Sequence, residues 1–255
     1  MITGSAMIVL KSDREIEIMK QAGKISAMAL DAVKRAVRPG VSTYELDQIA
    51  YDVILSNNAT PAFLNYNGFP NSICASVNDE IVHGIPSTGR ILKEGDIVSI
   101  DVGAVWGGYV GDNADTVGVG KISDEAQALI DVTRNSFFAG LEFCKESYRL
   151  GDVSHAIGEY AESRGYGVVR DYVGHGIGTE MHQEPSVPNY GKAGRGVRLA
   201  KGLTIAIEPM INIGTWKTRS MSDGWTVKTA DGSLSAHYEN TIAITDGEPL
   251  ILTLL

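Results

Sequence analysis

Cysteine is nearly missing from this chain: 255 residues contain two, Cys74 and Cys144, too few for a disulfide framework and read as reduced thiols. Long apolar runs are missing too; with no stretch of about 18 apolar residues, no transmembrane helix is expected. The N-terminus lacks the charged-then-apolar pattern of a secretory signal, and these absences together set the chain in the cytoplasm. Basic residues are outnumbered, 22 lysines and arginines against 31 acids for a net charge of −9, and they form no cluster. That excludes a nucleic-acid-binding surface. No low-complexity stretch divides the chain, so one compact domain is expected, large enough to bury its core without staples.

What is present is globular: 44% hydrophobic and 21% charged residues. Met1 to Ala6 read as an appended leader with Met7 as the natural start, which sets residues 1–7 apart from a single domain over 8–255. Ser12 with Glu15, and Ser42 with Glu45, have the spacing of a capping box. The first opens a helix through Ile16, Met19, Ala22 and Ile25 that stops at Pro39-Gly40. The second opens a helix through Leu46, Ile49, Ala50 and Val53 that ends near Asn57-Asn58. A third helix is expected from Ser123-Asp124 through Ala128, Ile130 and Val132 toward Leu141, stopping at Leu150-Gly151. A fourth runs from about Ser154 to Ser163, capped by Gly165. Gly95-Asp-Ile-Val-Ser-Ile-Asp101 is echoed by Gly202-Leu-Thr-Ile-Ala-Ile-Glu208: a glycine, a β-type run, then an acid. Halves of about 8–120 and 121–255 therefore read as a duplication around a shared site, or as a coincidence between two common strand starts.

Residues 96–105 and 109–118 have the pattern of a hairpin around Trp106-Gly107-Gly108. Parity then puts Asp101 and Asp112 on one face, opposite or one diagonal apart, about 5–8 Å from each other. Two carboxylates so close are costly to bury unless a cation lies between them. Glu208 closes an apolar run ahead of Pro209, and Glu239 sits in a strand expected over Ser233 to Thr245. His175 lies in Gly174-His-Gly-Ile-Gly178, where flanking glycines let the backbone approach a ligand, and His182 follows. His83 lies in a turn-like His83-Gly-Ile-Pro86. His155 reads as an ordinary exposed helix residue. Each of these taken singly is as readily a rim or core residue. As a group, four acids and a histidine suit two cations of the Mn, Fe(II), Co or Zn type and disfavour copper or iron–sulfur chemistry.

Seven segments together resemble the type I methionine aminopeptidases, the bacterial short form. They are Asn65-Tyr-Asn-Gly-Phe-Pro70, His83-Gly-Ile-Pro86, Ser99-Ile-Asp-Val102, Gly111-Asp112, Gly174-His-Gly-Ile-Gly178, Ile207-Glu-Pro-Met210 and Ser235-Ala-His-Tyr-Glu239. The resemblance spans nearly the whole chain from about residue 8. It implies an α+β pita-bread fold, two pseudo-symmetric halves with a central curved antiparallel sheet backed by helices. It also implies two divalent metal ions: Asp101 gripping one, Asp112 and Glu239 bridging both, His175 and Glu208 on the other. Glu208 would also transfer protons, and His83 and His182 would contact substrate. Tyr66, Phe69, Cys74, Met181 and Trp225 match positions around the methionine side chain, although core packing accounts for them as readily.

The activity implied is removal of the N-terminal methionine from nascent polypeptides with a small second residue, by a monomer that could associate with ribosomes. This sequence departs from the family pattern at His237, where glutamine is usual, at Asn240, where histidine is usual, and at Gly103, where the best-known bacterial form has threonine. Strand alternation sets His237 on the same face as Glu239, as an outer partner tuning the metals. The competing readings are a prolidase or proline aminopeptidase of the same fold, a non-catalytic pita-bread binding protein, and a two-metal phosphohydrolase. The last lacks basic residues near the ligands to hold phosphate.

Overall fold

The computed structural model describes residues 7–255, so the expected leader lies outside the described residues apart from Met7. In chain order the elements are α1 (Asp13–Ala36), α2 (Thr43–Ser56), β1 (Thr60–Pro61), β2 (Ile73–Val77), β3 (Glu80–Val82), β4 (Ile97–Trp106), β5 (Tyr109–Gly118), α3 (Asp124–Leu141) and α4 (Leu150–Glu162). The remainder is strand: β6 (Gly167–Val168), β7 (Gly174–Gly176), β8 (Gln183–Val187), β9 (Thr204–Ile207), β10 (Met210–Asn212), β11 (Thr218–Ser220), β12 (Val227–Thr229), β13 (Ser235–His237), β14 (Glu239–Ala243) and β15 (Leu250–Ile251).

Both expected capping boxes form. Ser12 N–H donates to Glu15 Oε2 at 2.7 Å, and Ser42 N–H to Glu45 Oε2 at 2.8 Å, while each serine hydroxyl accepts the N–H of its glutamate. The second pair of helices differs from expectation. The third helix ends at Leu141, and Leu150-Gly151, read as its stop, instead opens α4, where the Asp152 carboxylate accepts the N–H of Arg149 at 2.8 Å. The buried stripe of α3 is Ala126, Leu129, Thr133, Ser136, Phe137 and Gly140; Ile130 and Val132 pack half-buried along its edge, and Ala128 is exposed. Its polar threonine and serine face inward because each returns a hydrogen bond to its own helix, Thr133 to Leu129 O and Ser136 to Thr133 O. Gly165 does close α4, with φ +87°.

The main sheet runs β1-β4-β5-β14-β9-β7-β8, with β2 on β4 and β15 on β14, every pair antiparallel. Trp106 pairs with Tyr109 across a two-residue Gly107-Gly108 turn, both glycines at positive φ as the tight hairpin turn requires. Alternation then sorts the faces. Val98, Ile100, Val102 and Ala104 join a core with Ile25, Leu30, Leu46 and Ile54 of α1 and α2, leaving Asp101 and Gly103 on the opposite face. A second core sets Phe137, Val153 and Ile157 of α3 and α4 against Ile205 and Ile242. The expected strand over Ser233 to Thr245 is two strands. The chain breaks at Tyr238, whose N–H donates to Pro209 O, so that β13 joins β10 and β6 while β14 joins β5 and β9.

At the centre, β5 and β14 pair Asn113 with Asn240, and Asp112 and Glu239 each stand one residue before that pair. The two helix pairs thus hold from behind a seam at which the acids of the front face converge. The seam tolerates little added bulk: a Cβ at Gly111 would lie 2.4 Å from the Gly23 backbone of α1. Gly111→Ala is therefore expected to destabilise the fold by about 3 kcal/mol, the upper part of the overpacking range. Denaturant unfolding measures this, and a loss below about 0.5 kcal/mol would contradict the close contact.

Candidate metal centre and substrate cavity

Asp101 pairs with Ala114 and Asp112 with Gly103, so the two aspartates are diagonal neighbours on the front face. Glu239 joins them from β14. Glu208 stands one residue past the last β9–β14 pair, Asn240 with Ile207, and so arrives opposite Glu239. His175 is brought in by β7, which pairs with β9 on one side and β8 on the other. Its flanking glycines serve this close strand packing, not approach to a ligand: a Cβ at Gly174 would meet Ala206 O at 2.3 Å, and one at Gly176 would meet Glu184 O at 2.2 Å. Thr241 anchors Asp112, its hydroxyl accepting the Asp112 N–H at 3.0 Å and donating to the Asp112 carbonyl at 2.9 Å.

The cluster is built for cations. Among the described residues Asp101 Oδ1, Asp112 Oδ1 and Glu239 Oε1 are buried without a hydrogen-bond partner, a costly state for carboxylates that no lysine or arginine in the cavity lining relieves. His175 Nε2 stands 3.5 Å from Glu208 Oε1 and 3.8 Å from Asp112 Oδ2, while its Nδ1 meets the Gly176 carbonyl at 3.0 Å. That second contact fixes Nδ1 as the protonated nitrogen and leaves Nε2 free to ligate. Burial holds the His175 imidazole at about 4, so it is neutral. The ligand atoms of Asp112, His175 and Glu239 lie within 4.8 Å of one another, as do those of Asp101, His237 and Glu239. Hard oxygens with one imidazole per group fit divalent ions of the Mn, Fe(II), Co or Zn kind.

The twelve residues that the resemblance assigns to metal, catalysis or substrate line one cavity of about 240 Å³. Its apolar wall includes Phe69, Cys74 and Met181, which also belong to a buried cluster, so packing and lining are not alternatives here. The Phe69 and Trp225 rings meet edge to face at 5.1 Å between centroids. Cys74 pairs across the strands with Asp101, and burial together with the acids keeps it a thiol. Tyr66 Oη lies 2.8 Å from His182 Nδ1. His83 sits between Tyr172 and Trp225, at ring-centroid distances of 5.7 and 6.3 Å, with φ +59°, a strained backbone for a non-glycine residue.

Phe63 and Asn67 also line the cavity and were not singled out in the sequence. Asn67 lies inside a quoted motif, at a left-handed φ of 49°. Phe63 explains Gly103: a Cβ there would lie 2.8 Å from Phe63 and 2.9 Å from Met181, so those two side chains occupy the room a threonine would need. Asn240 is remote from the acids, on the far face, where its Oδ1 accepts the Thr253 hydroxyl at 2.8 Å. His155 is exposed on α4, its Nδ1 3.2 Å from the Gly191 carbonyl.

Residues 17–246 match the model of metallopeptidase family M24. The chain belongs to that family, and its α+β architecture is the pita-bread fold. A methionine aminopeptidase of Clostridium acetobutylicum is 57% identical over 248 residues, covering 97% of this chain and 99% of that protein. The crystal structure of methionine aminopeptidase from Thermotoga maritima superposes with a TM-score of 0.96 at 46% identity, covering 98% of this chain and all of that one. Within the family, the chain is one of the methionine aminopeptidases. A prolidase from Pyrococcus furiosus, 24% identical with a TM-score of 0.76, covers 97% of this chain but only 66% of its own length is matched, and shares the fold alone.

Burial pushes Asp101 up to about 7 from 3.8, and burial with mutual repulsion raises Asp112, Glu208 and Glu239 well above their ordinary values. A carboxyl whose folded value exceeds its unfolded one stabilises the fold at low pH, and that contribution is lost as pH rises through the folded value. The metal-free protein is therefore expected to lose thermal stability, relative to the metal-loaded protein, from about pH 4 through pH 7 and above. Melting curves with a chelator and with saturating Mn(II), taken across that range, measure the gap. A gap that narrows as pH rises contradicts the account.

Proposed function

We propose that the chain removes the initiator methionine from newly made polypeptides in the cytoplasm, using two divalent cations and preferring a small second residue. The observation that carries this is the union of the acid–imidazole cluster and the apolar, thiol-lined wall in one cavity. A flexible thioether suits such a wall. In this reading residues 8–255 act as one duplicated domain, each half supplying acids to the seam.

Asp101, Asp112, His175, Glu208 and Glu239 would hold the cations. When bound, these supply Lewis-acid polarisation of the scissile carbonyl and a water acidic enough to attack at neutral pH. Glu208, buried beside Asp101, would accept a proton from the attacking water and return it to the leaving nitrogen. With the Tyr66 hydroxyl donating to His182 Nδ1, His182 Nε2 carries the proton and donates to the developing oxyanion. His83, kept neutral by burial at about 4, would steady the scissile amide. Phe69, Trp225, Cys74, Met181 and Tyr66 enclose the methionine side chain. A prolidase reading rests on the fold alone. Among the described residues no helix is long and apolar enough to cross a membrane.

His182→Ala is expected to lower kcat about 100-fold, the usual cost of one oxyanion donor, with the metal content of the protein unchanged. Steady-state kinetics paired with metal analysis checks both halves, and an unaltered kcat removes the role. On tripeptides, methionine should leave Met-Ala-Ser much faster than Met-Leu-Ser. Release of proline but not methionine from short peptides would overturn the assignment in favour of a prolidase.

A further inference from the structure

We infer that His237 is a direct cation ligand, completing with Asp101 and Glu239 a second imidazole-containing site beside the one formed by His175, Asp112 and Glu239. This rests on the two-cation reading of the same cluster.

The two histidines stand in matching surroundings. His175 Nε2 is 3.5 Å from Glu208 Oε1 and 3.8 Å from Asp112 Oδ2; His237 Nε2 is 3.5 Å from Glu239 Oε2 and 3.8 Å from Glu208 Oε2. Glu208 thus turns one oxygen toward each ring. Atoms bound to one ion at about 2.0–2.2 Å lie roughly 3 to 3.5 Å apart, which these spacings approach, whereas hydrogen bonds to a carboxylate close to about 2.8 Å. At 3.5 and 3.8 Å His237 does not hydrogen-bond either glutamate. Its Nε2 is buried without any partner among the described residues, on a residue 1% exposed. An imidazole nitrogen left bare among carboxylate oxygens is a ligand awaiting an ion.

Its aim is fixed by the backbone. The Thr116 hydroxyl accepts the His237 N–H at 2.9 Å and donates to the His237 carbonyl at 2.8 Å, and β13 pairs His237 with Met210, two residues past Glu208. The break at Tyr238 is what lets His237 belong to one sheet and Glu239 to another while both reach the same point. An imidazole added to two carboxylates moves that site toward Co, Zn and Fe(II) and away from Mg.

The test uses the full-length protein titrated with Co(II) alone. Proton NMR of the doubly loaded wild type should show two exchangeable, strongly shifted imidazole N–H signals, one from each ligated ring. His237→Gln should lose one signal and weaken one of the two Co(II) sites at least about 10-fold by calorimetry, with the other unchanged. A single signal in the wild type, a count that needs no variant to fold, overturns the inference, as does unchanged Co(II) affinity in H237Q. No Co(II) binding by the wild type would instead overturn the parent reading of the cluster.

Discussion

The structure turns on carboxylates that should not be together. Asp101, Asp112, Glu208 and Glu239 meet at the seam of a sheet whose back is covered by four helices, and one buried oxygen each of Asp101, Asp112 and Glu239 has no partner among the described residues. Among the described residues no arginine or lysine lines the cavity they share. Such an arrangement is unfavourable in the protein taken alone and becomes favourable only when positive charge enters. The surrounding fold holds the acids in place despite their repulsion. Capped helices, close glycine contacts between α1 and β5, and the Thr241 clamp on Asp112 all act behind or beside the seam.

The same front face supplies the apolar half of the site. Because side chains alternate along β4, the residues that flank Asp101 pack into the helix-backed core, and Gly103 opens toward Phe63 and Met181. Cys74, opposite Asp101 on β2, marks where acid and apolar wall meet. Charge and shape are therefore consequences of one register. A slip of one residue in the β4–β5 hairpin would turn Asp101 and Gly103 into the core together.

Much of this was legible from residues because it depends on short-range rules. Capping boxes at Ser12 and Ser42 follow from side-chain reach, and the hairpin with its diagonal aspartates follows from strand parity. The misreadings arose where tertiary context overrides local signal. Leu150-Gly151 looks like a helix stop, yet Asp152 caps Arg149 and makes it a start. The inward stripe of α3 holds polar Thr133 and Ser136 that satisfy themselves within the helix, so apolar periodicity reached only its half-buried edge at Ile130 and Val132. The break at Tyr238 has no local marker, since the run reads as one continuous strand; only the switch between sheets reveals it. Phe63 carries no motif of its own, and its place in the cavity depends on the absent side chain at Gly103.

Two cations occupying this cluster would give the site both its stability and its chemistry. Crystals grown with Mn(II) and measured for anomalous scattering test that most directly. Two peaks a few ångströms apart, one beside Asp101 and Glu239 and the other beside His175 and Asp112, are expected. Anomalous density absent from the cluster at saturating Mn(II) would contradict it.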